Sequence, residues 1–412
     1  WPFSTYLDSL SRVPLTANVA FLMGHNKIRQ SVMGMEDRSP DPDELEAMKH
    51  MVRQAMQEGA FGLSTGLKYL PGVFSTVDEI IELAAMAARY EGIYTSHLRE
   101  EGLGLIEGVE EAIKIGHRAG IPVVLTHHKV IGQPMWGASK RTLAMVDSAR
   151  ALGIDVMLDQ YPYTASFTDL SILIPSWSLA GGQEEFIKRT KDPELRERIL
   201  QGIEFNIQND RGGGDLARIQ LASTPWDPSL AGKTLKFWAE REGLEPTAIH
   251  GARLILEAQL QGGGKGIYHA MDEGDLRRIM RHPQTMIGSD GFLTSPEEAW
   301  AHPRSYGTYP RILGHYVRDE KVIDMPTAIR KMTSLPADRL GLKKRGRLKV
   351  GNFADITIFD PATIIDQATF IDPHQYPRGI EYVLVNGVVA IDAGEFTENR
   401  GGRVLRRVEN LE

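Results

Sequence analysis

The amino-acid sequence predicts a parallel α/β fold, a TIM-type (β/α)8 barrel, on three observations. Short β-branched or apolar runs alternate with amphipathic helical patterns that end in glycine, which is typical of βα units. Polar residues gather where these runs end, as they do at the catalytic face of a barrel. The chain also has no glycine-rich dinucleotide fingerprint and no Walker-type loop, which disfavours a nucleotide-binding doubly wound sheet.

Five strands are predicted in the first part of the chain, with four helices between them. The strands span residues 18–25, 60–66, 93–97, 122–127 and 156–159. The helices run from a cap at Ser39 or Asp41 to Gly59, and over about 80–90, 113–119 and 142–152. Each predicted helix is amphipathic, so we expect it to pack one face against the sheet.

The pattern changes twice after these units. Residues of about 166–284 lose the regular alternation, and we interpret them as an insertion. A sixth strand at 285–290 then precedes helical segments at about 310–317 and 325–332. Short strands at 355–359 and 382–385, with a turn at Asn386-Gly387, predict a small β-sandwich-like module at 343–412 after a barrel at 1–342.

The amino-acid composition limits the kinds of molecule that the protein is expected to bind. The 412 residues are 42% hydrophobic and 25% charged, the balance of a globular protein, with a formal net charge of -7. No long run of one charge and no stretch of about 20 apolar residues occurs, so we expect a small-molecule substrate, no nucleic acid and no membrane partner. Cysteine is absent, which excludes disulfides and thiolate ligands within these residues. We expect a cytoplasmic location.

Two histidines occupy equivalent positions in consecutive βα units. His97 ends one predicted strand and His127 ends the next. Neighbouring strand ends of a barrel lie close together, and neutral imidazole is a common ligand of Zn²⁺. A single histidine would more often be an ordinary core or surface residue, but the paired placement favours a metal site.

Asp290 ends the predicted strand at 285–290, in Gly288-Ser289-Asp290-Gly291. An Asp before Gly often makes a turn or a helix cap. The apolar strand before it would nevertheless deliver the carboxylate to the same face as His97 and His127. There it can take a proton from water and return it to a leaving nitrogen.

Two further residues are candidates for carboxylate binding. Arg304 lies downstream in His302-Pro303-Arg304, and Tyr161 follows a strand end. A guanidinium pairs with a carboxylate through two hydrogen bonds, and a tyrosine hydroxyl can add a third. We interpret the remaining histidines as structural, although His25 also ends a predicted strand.

These motifs resemble, in order and over nearly the whole chain, the D-aminoacylase or N-acyl-D-amino-acid deacylase family of the metal-dependent amidohydrolases. The motifs are Ser96-His97-Leu98-Arg99, Thr126-His127-His128-Lys129, Asp159-Gln160-Tyr161-Pro162-Tyr163, Gly288-Ser289-Asp290-Gly291 and His302-Pro303-Arg304. The resemblance implies a zinc enzyme that cleaves the N-acyl bond of N-acyl-D-amino acids.

The resemblance also implies a role for each site residue. His97 and His127 resemble the zinc ligands, and Asp290 resembles the general base. Lys129, Tyr161 and Arg304 resemble residues that hold the substrate carboxylate, and Tyr69 is similar to a residue that lines the pocket. The implied reaction is attack of a zinc-activated water on the amide carbonyl.

The family pattern is incomplete in this sequence. The family's His-x-His on the first strand and its Cys ligand on the second have no counterpart, and we expect both to lie before Trp1. The six predicted strands agree with this, since a barrel needs eight. Residues 217–221 and 267–271 are alternative candidates for the two remaining strands.

Two other functions stay open at this point. Cyclic-amide hydrolases such as hydantoinases and dihydroorotases share the fold, but they usually bridge two metals with a carboxylated lysine. Here the corresponding strand end reads Ser64-Thr65-Gly66, and Lys68 lies beyond it. A catalytically incomplete barrel that acts as a binding protein is the second alternative.

Overall fold

A six-stranded parallel sheet forms the centre of the protein. The structure is a computed structural model, and it describes residues 2–293, 295 and 300–407. The strands are β1 (Met23–Gly24), β2 (Gly62–Gly66), β3 (Ile93–His97), β4 (Val123–Leu125), β5 (Val156–Gln160), β6 (Ser166–Asp169), β7 (Ile219–Ser223), β8 (Lys265–Tyr268), β9 (Thr285–Ile287), β10 (Ile356–Phe359), β11 (Ile380–Val385), β12 (Val388–Asp392) and β13 (Glu395–Phe396). The parallel sheet has the order β1-β2-β3-β4-β5-β9. The predicted α/β class is confirmed.

Helices follow most strands of this sheet. They are α1 (Phe3–Ser11), α2 (His25–Met33), α3 (Pro42–Gln57), α4 (Val77–Ala88), α5 (Leu105–Ala119), α6 (Ser139–Ala151), α7 (Ser176–Leu179), α8 (Gln183–Lys191), α9 (Pro193–Asn206), α10 (Leu235–Arg241), α11 (Ala248–Leu260), α12 (Glu273–Arg281), α13 (Arg304–Arg311), α14 (Met325–Met332) and α15 (Ser334–Leu340). None of the described helices is long and apolar enough to cross a membrane.

Helix α3 shows how a local signal sets an element. Of the two predicted caps the structure uses Asp41, whose side chain accepts a hydrogen bond from the Glu44 N–H. The Glu44 carboxylate accepts one from the Asp41 N–H in return, which completes a capping box. Pro42 occupies the first turn, where its missing N–H costs nothing.

The sheet is buried on both faces. Leu125 and Leu158 pack with helices α3 to α6 in the largest apolar cluster, whereas Val124 and Met157 pack on the other face with Met286. Successive side chains of a strand alternate between faces, which explains why the strands read as unbroken apolar runs.

The predicted insertion contains its own sheet. Strands β6, β8 and β7 pair antiparallel in that order. The alternative assignment of 217–221 and 267–271 to the barrel is therefore wrong, because β7 and β8 pair with each other and with β6 and not with the parallel sheet. In the described chain no strand closes the edges formed by β1 and β9.

A four-stranded antiparallel sheet, in the order β10 to β13, follows near the C-terminus. Asn386 and Gly387 connect β11 to β12, and both have positive φ, 52° and 82°. This conformation is the one that the predicted Asn-Gly turn requires. The boundaries 1–342 and 343–412 stay predictions, and Trp1 and residues 408–412 lie outside the described residues.

Candidate metal centre

All seven residues that the sequence singled out line one cavity of about 330 Å³ at the carboxyl ends of the parallel strands. They are Tyr69, His97, His127, Lys129, Tyr161, Asp290 and Arg304. Parallel strands present their carboxyl ends at one edge of the sheet, so residues far apart in the sequence meet there.

His97 and His127 lie against each other. His97 Nδ1 is 2.8 Å from His127 Nε2, and the ring planes meet at 78°. His97 ends β3, whereas His127 follows β4 at a positive φ of 41°. Asp159 on β5 holds this backbone by accepting the His127 N–H at 2.5 Å. These two nitrogens share a hydrogen bond in the structure, whereas two nitrogens on one zinc stand roughly 3.3 Å apart for Zn–N bonds of about 2.0 Å, so a shared ion would require the rings to separate by about half an ångström.

Glu101 joins this pair, and the sequence reasoning missed it. Its carboxylate lies 3.5 Å from His97 Nε2 and 3.2 Å from His127 Nδ1. Within the described part of the chain these three are the one group whose ligand atoms all lie close enough for one metal ion, within 4.8 Å of one another. We call them the His–Glu cluster. The available signal was an acidic residue four positions after a strand-end histidine.

Two buried cations surround the Glu101 carboxylate. The Lys129 ammonium donates to it and, at 2.7 Å, to the His127 carbonyl, and Arg211 lies 3.7 Å away. Burial would raise the pKa of Glu101, but the positive charge of the adjoining Lys129 ammonium outweighs burial and holds that pKa well below its usual range. Glu101 is therefore a carboxylate at neutral pH.

The donor set suits a divalent metal. Burial lowers the pKa of His97 well below its usual value, so its imidazole is neutral, the form that binds metal. The buried His97 Nε2 makes no hydrogen bond to any described residue. Two imidazoles and a carboxylate are ligands that zinc accepts.

Asp290 lines the same cavity, three residues beyond β9, with a positive φ of 47°. Arg304 at the start of α13 binds its carboxylate at 2.8 Å and places its guanidinium 4.5 Å from the centre of the Tyr161 ring. Arg304 Nε and the Tyr161 hydroxyl are buried and without a partner among the described residues. They leave two hydrogen-bond donors for an anionic ligand.

The remaining predicted positions differ in setting. The Tyr69 ring contacts the edge of His97, with centroids 4.7 Å apart, and burial raises the pKa of Tyr69 to about 12. Lys129 faces Glu101, so its role toward a substrate carboxylate stays a prediction. The Lys68 ammonium pairs with Glu100 at 2.8 Å and does not line this cavity, which disfavours a lysine-bridged pair of metals.

Known proteins resemble this chain in sequence and in fold. A model of the amidohydrolase family matches residues 229–391. D-aminoacylase of Alcaligenes xylosoxydans xylosoxydans is 37% identical over 98% of this chain and 73% of that protein. N-acyl-D-glutamate deacylase of the same organism is 38% identical over 98% of this chain and 72% of its own length.

A solved structure of a related enzyme has the same fold. N-acyl-D-glutamate deacylase from Bordetella bronchiseptica, in complex with zinc and a phosphonate that mimics the tetrahedral intermediate, superposes with a TM-score of 0.81 at 35% identity. The match covers 98% of this chain and 75% of that chain.

The fold and the site together define an enzyme of the amidohydrolase class, with the parallel α/β sheet of a TIM-type barrel, of which the described residues form six strands, and a C-terminal β sheet. Within that class the chain belongs to the D-aminoacylase family. The predicted family, fold class and enzyme class are confirmed.

Proposed function

We propose that this protein hydrolyses the N-acyl amide bond of N-acyl-D-amino acids at a zinc site, giving a carboxylate and a free D-amino acid. The observation that carries the proposal is the single cavity shared by the His–Glu cluster, Asp290, Arg304 and Tyr161. The family relationship supports the same reaction, since relatives that this chain matches nearly end to end are named for it.

The His–Glu cluster would hold the metal. A zinc ion bound there supplies Lewis-acid polarisation of the amide carbonyl and lowers the pKa of a water molecule. His97 enters as a neutral ligand, and the Asp159 carboxylate orients the backbone that carries His127. Glu101 lies close enough to be a third ligand or to hold the two imidazoles in place.

Asp290 and its neighbours act on the amino-acid half of the substrate. The Asp290 carboxylate accepts the proton of the attacking water and then returns it to the leaving nitrogen. Arg304 adjoins Asp290, so the substrate carboxylate, one carbon from that nitrogen, would lie against the free guanidinium N–H and the Tyr161 hydroxyl.

Paired enantiomers test this proposal. The zinc-loaded protein should hydrolyse N-acetyl-D-leucine at least about a hundredfold faster, in kcat/KM, than N-acetyl-L-leucine, because misplacing the reacting carbonyl by about 1 Å costs that much. Other D-side chains should be assayed beside leucine, since the family includes acidic preferences. Equal rates for both enantiomers of every pair would refute the proposal.

A further inference from the structure

His302 lies outside the cavity and is hydrogen-bonded at both ring nitrogens. It is 2% exposed. Its Nδ1 accepts the Arg304 N–H at 3.0 Å, and its Nε2 lies 2.9 Å from the Ala165 carbonyl. The first contact needs an acceptor and the second needs a donor, so the imidazole is the neutral tautomer with its proton on Nε2.

Packing holds the ring in this orientation. Tyr163 and Phe370 contact it edge to face, with centroids 5.4 and 5.1 Å from that of His302, and Tyr161 lies at 6.2 Å. Burial lowers the pKa of His302 well below its usual value, in agreement with the neutral tautomer. Neither the charge nor the tautomer should change near neutral pH.

We infer that His302 is a positioning residue that holds Arg304 against Tyr161 and so builds the site for the substrate carboxylate. Its imidazole connects the start of α13, where Arg304 lies, to the segment after β5 that begins with Tyr161 and includes Ala165. The 4.5 Å separation of guanidinium and ring depends on that connection. The inference rests on the proposed function, because the carboxylate belongs to the proposed substrate.

The chain supplies a matched control in a second His-Pro sequence, His282-Pro283-Gln284. His282 is also buried, and its Nδ1 accepts the Gln284 N–H at 3.4 Å. Its Nε2 pairs with Asp147 at 3.0 Å. This turn precedes β9, at the end of that strand away from Asp290, so it contacts neither Arg304 nor Tyr161.

The experiment compares His302→Phe with His282→Phe on two substrates. N-acetyl-D-leucine has the carboxylate, and N-acetylisopentylamine is the same molecule without it. For His302→Phe we expect KM for the acid to rise about tenfold, the worth of one buried hydrogen bond, with a smaller change in kcat. The kcat/KM for the neutral amide should fall much less, because that substrate is affected only through the contact of Arg304 with Asp290. His282→Phe should change neither substrate's constants.

A second variant separates positioning from folding. His302→Asn keeps an acceptor near the place of Nδ1 for the Arg304 N–H but loses the donor to the Ala165 carbonyl, so it should recover part of the KM effect of His302→Phe. Equal losses on both substrates, or no recovery by His302→Asn, would overturn the inference.

A structural readout is independent of turnover. If the unaltered protein hydrolyses neither substrate, the proposed function fails, and crystal structures still test the connection. In His302→Phe the guanidinium should leave the Tyr161 ring, whereas in His282→Phe it should stay at about 4.5 Å. An unchanged separation in His302→Phe would overturn the inference by itself.

Discussion

Two buried clusters of the same chemical groups have different roles in this molecule. The inner cluster consists of His25, Arg29 and Glu79, in which Glu79 binds His25 Nε2 at 2.8 Å and Arg29 at 2.5 Å. Like the His–Glu cluster together with its neighbour Lys129, it combines histidine, a carboxylate and a cation. Its side chains are at most 1% exposed, and they line none of the described cavities around the catalytic face.

The difference between the clusters lies in their surroundings. Both contain a histidine nitrogen without a hydrogen-bond partner among the described residues, His25 Nδ1 in one and His97 Nε2 in the other. Only the His–Glu cluster borders an open cavity. An unpartnered atom is therefore evidence for a ligand site where a ligand can reach it, and the inner cluster connects α2 to α4 instead.

The largest effect should come from removing both imidazoles of the His–Glu cluster. We expect His97→Ala with His127→Ala to lose the bound zinc and at least about 5 kcal/mol of barrier lowering, roughly four orders of magnitude in rate. Metal analysis and kcat/KM measure both changes. Full zinc content in this variant would refute the assignment, and His25→Ala, measured in parallel, should retain zinc.

Asp290→Asn should lose about a thousandfold in kcat, because the amide cannot accept the proton of the attacking water. Its zinc content should stay that of the unaltered protein, which distinguishes a proton-transfer role from metal binding. Retained activity would mean that another group is the base. Asp159→Asn is the matched comparison, and it should act mainly through the placement of His127.

Glu79→Gln should act on stability and not on chemistry. It leaves the buried Arg29 without its counter-charge, which costs about 3 kcal/mol or more in the free energy of unfolding. Denaturant unfolding measures this cost. Below its unfolding temperature the variant should keep its zinc and its kcat, whereas a selective loss of zinc would show that the two clusters are coupled.

The smallest predicted effect is on stability and comes from Lys331, a buried lysine whose ammonium group donates hydrogen bonds to backbone carbonyls. The Lys331 ammonium donates to the Thr285 carbonyl at 2.9 Å, and burial lowers its pKa to about 8 from the ordinary 10.5. The unfolded chain then binds more protons between these two pH values, so stability rises with pH across that window.

Between about pH 7.5 and 10 the free energy of unfolding should rise by about 2 kcal/mol more in the unaltered protein than in Lys331→Met. Chemical denaturation at both pH values measures the difference. An equal pH dependence in the two proteins would show that Lys331 keeps an ordinary pKa.

Local patterns predicted the elements well where the cause is local. Two examples are the capping box of Asp41 and Glu44 and the turn at Asn386-Gly387. Each involves residues at most three positions apart, so the local sequence is enough to specify its geometry. The predicted strand at 18–25 is much shorter in the structure, where β1 spans Met23–Gly24, because only those two residues pair with β2. Pairing depends on a distant partner, which periodicity does not specify.

The candidate site shows the same difference between what local sequence determines and what tertiary packing determines. By itself the sequence determined that His97, His127 and Asp290 lie at or just beyond the ends of apolar strands, because burial of a strand imposes a pattern that its end interrupts. The tertiary structure alone decided that Glu101 joins the two histidines and that His25 belongs to a closed cluster. Distance and access to a cavity are set by the packing of several elements, so no single segment of the chain encodes them.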